Sequence, residues 1–188
     1  MKVAITGATG YIGARLAGLL QKQGCNVVAL SRQRPLYTVS GWFHYDIQST
    51  TNILPSDVDA IIHLAANTTG LSRNDEQEVC AAVDLLNHSN QCSAVFIFVS
   101  SQSAAEHAPT SYGRIKWAIE QKVLAKREIV VRPGQVYGGE LGGLYGRMAG
   151  FVKQMPLLPA FVPSPKIQPV HVDDLTIAIQ RLLEGFGS

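Results

Sequence analysis

Residues 3–13 read Val3-Ala4-Ile5-Thr6-Gly7-Ala8-Thr9-Gly10-Tyr11-Ile12-Gly13, and the fold turns on this stretch. Val3–Thr6 is a short apolar, largely β-branched run that predicts a strand. The glycines after it, spaced G-x-x-G-x-x-G, let the backbone turn sharply and come close to a ligand. Beyond them a helix is predicted over Tyr11–Gln23, with Ile12, Leu16, Leu19 and Leu20 on one face and Gly24 as its stop. A helix starting straight from such a turn offers unpaired N–H groups and a positive dipole end, which suits a pyrophosphate. A glycine triplet alone is weak, and its place between strand and helix gives it weight. Glycines present only for packing are the competing reading.

Working outward, short apolar runs alternate with longer helical patterns, as in a parallel α/β sheet. Strands are predicted at Val3–Thr6, Asn26–Leu30, Phe43–Tyr45, Ala60–Leu64, Ala94–Ser100 and Ile129–Arg132. Helices are predicted at Tyr11–Gln23, Asp75–Asn90 and Ser111–Lys126. The runs AIIHLA and AVFIFV are continuously apolar, as strands buried on both faces should be. The expected fold class is a doubly wound parallel sheet, a Rossmann fold, with helices on both faces. From Gly138 the texture changes to a glycine-rich loop, a short helix near Leu144–Gln154 and an extended Pro-rich segment. A last helix, Asp173–Glu184, should turn Leu175, Ile179, Leu182 and Leu183 inward. The apolar stretch Leu141–Val162 reads as cover for the sheet, with a docking surface as the alternative. Residues 1–188 are expected to form one nucleotide-binding domain, with 138–188 a reduced substrate-side region.

Composition narrows the classes. The 188 residues are 46% hydrophobic and 16% charged, below the roughly 25% charge of an average globular chain, which excludes intrinsic disorder. A net charge of +2 carries no basic footprint for nucleic acid. Cys25, Cys80 and Cys92 are odd in number and lack C-x-x-C spacing, so neither a disulfide framework nor a metal site is expected. The apolar run at the N-terminus is too short for a signal-peptide core, and no uninterrupted apolar run is long enough to span a membrane. A cytoplasmic protein is expected.

The chemistry-bearing residues lie at predicted strand ends and on the third helix. Ser31 and Arg32 close the second strand, and no acid occurs between Gly24 and Tyr45. An acid there would bind a ribose 2′-hydroxyl, whereas an arginine accommodates a 2′-phosphate, so NADP is favoured with NAD as the alternative. Tyr112 and Lys116, in Y-x-x-x-K spacing, share a helix face. An ammonium there would favour the phenolate and tune the tyrosine for proton transfer. Ser100 and Ser101 end the preceding strand, where a hydroxyl could bond both a substrate carbonyl and the tyrosine oxygen. His63 reads as a strand-end residue, and the other histidines show no ligand spacing.

These motifs, in this order, resemble the extended short-chain dehydrogenases/reductases, the NAD(P)-dependent epimerase/dehydratase group. TGATGYIG resembles the family's nucleotide turn, which implies cofactor contacts from Gly7, Thr9, Gly10, Tyr11, Ile12 and Gly13. HYDI implies adenine contacts from Asp46 and Ile47, and HLAA places Leu64, Ala65 and Ala66 along the cofactor ribose. FVSS followed by YGRIK resembles the Ser–Tyr–Lys set, with Ser101 the better positional match. Tyr112 would then be the acid–base, Lys116 would hold the nicotinamide ribose, and Ser101 would orient the carbonyl. VRPGQVYG implies that Pro133 and Gly134 line the nicotinamide side, and PVHVDDL resembles a late substrate-side motif. The resemblance implies hydride transfer to or from a carbonyl or alcohol carbon of a small molecule, in a homodimer. The alternative is an NADP(H)-binding sensor or accessory subunit without turnover. Two departures stand out. Tyr112 follows Ser101 by only eleven positions, a short loop for this family. One predicted helix follows PVHVDDL where the family has much of a substrate domain, so an open pocket built from few residues is expected.

Overall fold

Six parallel strands form the sheet that the alternating pattern predicts. The computed structural model describes residues 1–68, 75–139 and 167–185, with Gly150, Val152 and Gln154. The helix expected near Leu144–Gln154 and the apolar stretch Leu141–Val162 lie almost wholly outside the described residues. In chain order the elements are β1 (Lys2–Thr6), α1 (Tyr11–Lys22), β2 (Asn26–Ser31), β3 (Gly41–His44), β4 (Ala60–His63), α2 (Asp75–Gln91), β5 (Val95–Val99), α3 (Ser111–Ala125) and β6 (Ile129–Val131). The sheet order is β3-β2-β1-β4-β5-β6, with every neighbouring pair parallel. The chain runs outward from β1 through β2 and β3, then returns to β1's other side as β4. That reversal opens a crevice at the carboxyl ends of β1 and β4, where open α/β sheets bind ligands.

The strand alternation sorts the core onto two faces. Val3, Ile5, Val27, Ala29 and Ile62 pack with Leu16 and Leu20 of α1 and with Leu175, Ile179 and Leu183 of the last helix, α4 (Val172–Glu184). Ala4, Val28, Leu30, Ile61, Phe96 and Phe98 pack with Leu85 and Leu86 of α2 and Ile115, Ile119 and Val123 of α3. Each fully buried Leu, Ile or Phe contributes about 1.5–3 kcal/mol through removal from water. The doubly wound fold class is therefore as expected, with strand and helix ends displaced by one or two residues. The largest displacement is β3, which starts at Gly41.

Two three-residue strands escaped the sequence reading. β7 (Gln135–Tyr137) and β8 (Pro169–His171) pair in parallel as a separate small sheet. Neither is long enough to show an alternation, and Pro169 marks an edge position by lacking a donor. Gly134 leads into β7 because a Cβ there would stand 1.7 Å from the Gln168 carbonyl oxygen. Arg15 of α1 grips Asp173 of α4 through two bonds of 2.5 and 3.0 Å, tying the two helices together. None of the described helices is long and apolar enough to cross a membrane.

Candidate active site

The turn after β1 is shaped by what a side chain would hit. Gly7 has φ +66°, and a Cβ on it would lie 3.0 Å from the Ala65 amide nitrogen. A Cβ on Gly13 would lie 2.2 Å from the Gly7 carbonyl oxygen and 2.9 Å from the Ala8 Cα. Gly10 caps α1 without a side-chain bond, and the first turn of α1 holds no acid. By contrast α2 and α4 each begin with acids. A bare backbone leading to a helix N-terminus uncontested by carboxylates fits the pyrophosphate of a dinucleotide. Thr9 and Gly10 are exposed at the rim, and Ile12 is half-buried against the core. The Tyr11 hydroxyl donates to the Gly138 carbonyl at 2.5 Å, and Tyr37 donates to the Ala8 carbonyl at 2.7 Å. Both hydroxyls brace the turn from outside.

On the β2–β3 side, Ser31 is buried and its hydroxyl donates to the Gln33 carbonyl at 2.7 Å. It shapes the turn that exposes Arg32 and Arg34. Asp46 accepts the Gln48 N–H at 3.0 Å, while its own N–H donates to the Asn52 side chain at 2.9 Å. Ile47 packs half-buried on the α2–α3 side of the core. Leu64, Ala65 and Ala66 are half-buried just past β4.

A threonine sets the state of the histidine beside it. Thr6 Oγ1 accepts the N–H groups of Leu64 and Ala65, each at 3.0 Å. Its single proton is left for His63 Nδ1, 2.8 Å away. The ring proton must then sit on Nε2, which is buried and has no partner among the described residues. Burial drives the His63 pKa down to about 3, and the positive charge of Lys116 adds to the fall. His63 is thus a neutral buried ring, stacked on Phe98 at 5.6 Å.

The third helix brings the Ser–Tyr–Lys set together. Thr110 caps α3 by accepting the Gly113 N–H at 3.2 Å. A Cβ on Gly113 would lie 2.6 Å from both Ala108 Cβ and the Ser103 carbonyl, so glycine lets the helix start pack on the loop after β5. The short loop leaves Ser101 near Tyr112, where its hydroxyl favours the phenolate. Ser101 Oγ also pairs with the Ser103 hydroxyl at 2.9 Å. Backbone pairing continues beyond β5 and β6, from Ser100 N–H to the Val131 carbonyl and from Gln102 N–H to the Pro133 carbonyl. Pro133 and Gly134 consequently lie beside Ser101. Ser100 is buried, and its hydroxyl has no partner among the described residues.

Lys116 departs from the expected electrostatics. Its ammonium is buried, donates to the Val99 carbonyl at 2.9 Å and sits 5.8 Å from the Tyr112 ring centre. Burial pushes its pKa down to about 8, against the opposing pull of Glu78 and Glu120. The sequence reading expects Lys116 to favour the Tyr112 phenolate. In the protein alone burial is the larger influence and raises the Tyr112 pKa, with Ser101 opposing and Glu78 adding to the rise. Sequence reasoning missed Glu78 and the pair formed by fully buried Glu120 and Arg132, whose Nε donates at 2.7 and 2.9 Å. A signal for both acids exists in the sequence. Glu78 lies on the Ala81-Ala82-Leu85-Leu86 stripe of α2, and Glu120 on the Ile115-Ile119-Val123 stripe of α3.

Known proteins share this architecture. The chain matches the NAD dependent epimerase/dehydratase family over residues 3–185. It is 29% identical over 191 residues to the ceramide reductase of Caulobacter vibrioides, covering 92% of this chain and 57% of that protein. It is also 29% identical over 204 residues to NADH dehydrogenase (ubiquinone) 1 alpha subcomplex subunit 9, mitochondrial, of Dictyostelium discoideum, covering 98% and 56%. The chain thus spans little more than half the length of these relatives. Among solved structures, a UDP-galactose 4-epimerase shares the fold with a TM-score of 0.76 and 21% identity, over 100% of this chain and 73% of that one. With the glycine turn, the crevice and the matched span in place, this chain belongs to the NAD dependent epimerase/dehydratase family.

Proposed function

We propose that this chain is an NADP(H)-dependent oxidoreductase or epimerase/reductase that passes hydride between the nicotinamide and a carbonyl or alcohol carbon of a small molecule. A sugar nucleotide is one substrate class that fits. The observation that carries the reading is Tyr112, near Ser101 and seated one helical turn above Lys116 at the carboxyl end of β5. Gly7, Thr9, Gly10, Tyr11, Ile12 and Gly13 would hold the pyrophosphate. Ser31, Arg32, Asp46 and Ile47 would frame the adenosine, with Leu64, Ala65 and Ala66 along the ribose. Tyr112, Lys116, Pro133 and Gly134 would border the nicotinamide, which supplies or accepts the hydride when bound. Tyr112 gives or takes the proton at the substrate oxygen, Ser101 orients that oxygen, and Lys116 fixes the ribose. Burial keeps Tyr112 protonated near neutral pH, the form needed to donate a proton during reduction. Arg32, exposed just beyond β2 with no acid between Gly24 and Tyr45, supports NADP over NAD. We place the enzyme in the cytoplasm as a homodimer through α2 and α3, which sedimentation of the purified chain tests.

The direct test is titration of nucleotide-free protein with NADPH and, separately, NADH, followed by a carbonyl panel with the Tyr112→Phe variant. NADPH should bind more tightly, and Tyr112→Phe should cut turnover by roughly 10²–10⁴-fold with cofactor affinity little changed. Tighter NADH binding sinks the Arg32 argument, and an unchanged rate sinks the role of Tyr112. A second reading, an accessory subunit that holds NADP(H) without turnover, draws on the relative whose name is that of an NADH dehydrogenase subunit. It expects bound nucleotide, no consumption of carbonyls and a protein partner.

A further inference from the structure

Lys116 is a buried cation, and a buried cation needs a counter-charge to stay ionised. Two carboxyl groups act on it, Glu78 from α2 and Glu120 from its own helix. The Arg132 guanidinium already occupies both oxygens of Glu120. Among the described residues Glu78 has no such cation in hydrogen-bonding contact. It is 1% exposed, and its carboxyl accepts the Asn67 N–H through two long bonds of 3.4 Å. The helices that carry Glu78 and Lys116 pack against each other, with both residues on their buried stripes. Among the described residues, the other titratable neighbours of Lys116 are His63 from β4, held neutral, and Tyr112 one turn away. Glu78 in turn adds to the rise that burial imposes on the Tyr45 pKa. Its own pKa is raised by burial and by Asp75, against the pull of Lys116 and the Asn67 N–H.

We propose that Glu78 is a positioning residue of the proposed reaction: the buried carboxylate that keeps Lys116 charged beneath Tyr112 and poises the site to donate a proton. Its negative charge opposes the discharge that burial imposes on Lys116, and it also holds the proton on Tyr112 directly. Each effect acts on one member of the pair, raising its proton affinity. They favour the protonated form of the pair, which suits reduction of a carbonyl over oxidation of an alcohol. The catalytic relevance of Glu78 rests on the Ser101–Tyr112–Lys116 reading above. Its electrical coupling to Lys116 does not.

The test is a pH titration followed by NMR on ¹³C-labelled protein, with the Lys116 Cε resonance assigned through Lys116→Arg. In the wild type, Lys116 should shift a second time as the Glu78 carboxyl carbon titrates. In Glu78→Gln, proton affinity at Lys116 should fall roughly tenfold. Glu78→Asp keeps the charge and should restore most of it. A Lys116 titration indifferent to Glu78 in the wild type overturns the proposal whether or not the variants fold. An unmoved Lys116 in Glu78→Gln, or equal falls in the Gln and Asp variants, overturns it too. The pH profile of NADPH oxidation with an accepted carbonyl should lose its alkaline limb at lower pH in Glu78→Gln, and an unmoved limb counts against the positioning role. Retained turnover in Tyr112→Phe would instead strike the acid–base reading, a result separate from the Lys116 titration.

Discussion

Around Gly7, Gly10 and Gly13 the candidate site is built from backbone, while around Tyr112 and Lys116 it is built from buried ionisable side chains. In the first region a Cβ would strike main-chain atoms at Gly7 and Gly13, and α1 begins without an acid. In the second, His63, Glu78, Lys116 and Glu120 are all buried, and desolvation together with neighbouring charge shifts His63, Glu78 and Lys116. One region should fail when volume is added and ignore pH. The other should tolerate small changes of volume and respond to pH.

The largest effect expected is that of Gly13→Val. The added Cβ meets the Gly7 carbonyl at 2.2 Å and the Ala8 Cα at 2.9 Å, and neither backbone atom can swing aside as a side-chain tip could. A loss of about 4 kcal/mol is expected, at the exceptional end for one substitution. Urea unfolding should show it at any pH between 6 and 9, and nucleotide binding should be lost with it. Near-normal stability would mean that the turn is not sterically fixed, and the contrast between the regions would dissolve.

His63 should produce the next largest effect, visible only in acid. Its pKa is about 3 folded against 6.5 unfolded, so below pH 6.5 the unfolded chain binds the proton that the folded ring refuses. Stability is then lost as pH falls towards 3, at about 1.4 kcal/mol per unit, or about 3 kcal/mol by pH 4. His63→Asn should flatten that limb relative to wild type. Parallel acid limbs in the two proteins would sink the assignment of a neutral, buried Nε2–H ring.

The difference between the regions also explains what could be read from the sequence. Gly10 and Gly13 announce themselves because their steric exclusion is local: a Cβ on either meets the Gly7 carbonyl, within the same seven residues. The strands were legible for the same reason, since AIIHLA and AVFIFV are apolar on both faces. The state of Lys116 was not. It depends on burial, on Glu78 thirty-eight positions earlier and on Glu120, which Arg132 also holds, relations that exist only once α2, α3 and β6 are assembled. Tyr112 and Lys116 could be picked out by spacing, but spacing could not show that burial would raise the tyrosine's pKa. β7 and β8 stayed hidden because three residues carry no period, and their pairing joins positions more than thirty apart.

Lys116 should give a smaller effect of the same pH sense, on the alkaline side. Its pKa is about 8 in the folded protein and 10.5 as a free side chain, so between these values the unfolded chain binds the extra proton. Stability gains about 2 kcal/mol as pH rises from 7 towards 10, before tyrosine ionisation opposes it. Lys116→Met should remove that gain while leaving the glycine turn able to bind nucleotide. A gain of equal size in Lys116→Met would show that the alkaline response comes from elsewhere.

The smallest effect tests whether charge matters to the backbone-built region at all. Arg15 and Asp173 join α1 to α4 in a two-bond pair, yet their side chains are 54% and 40% exposed. Each shifts the other in the stabilising direction, raising Arg15 and lowering Asp173, but solvent screens that attraction. Arg15→Ala should therefore barely move the melting temperature, and the difference should vanish in about 1 M salt, where the screening length is about 3 Å. Asp173→Asn should cost more than Arg15→Ala, because Asp173 also supplies negative charge to the first turn of α4. A large, salt-insensitive loss from Arg15→Ala would show that the glycine turn depends on an ion pair from outside it. The division between a region fixed by shape and one fixed by charge would then have to be redrawn through α1.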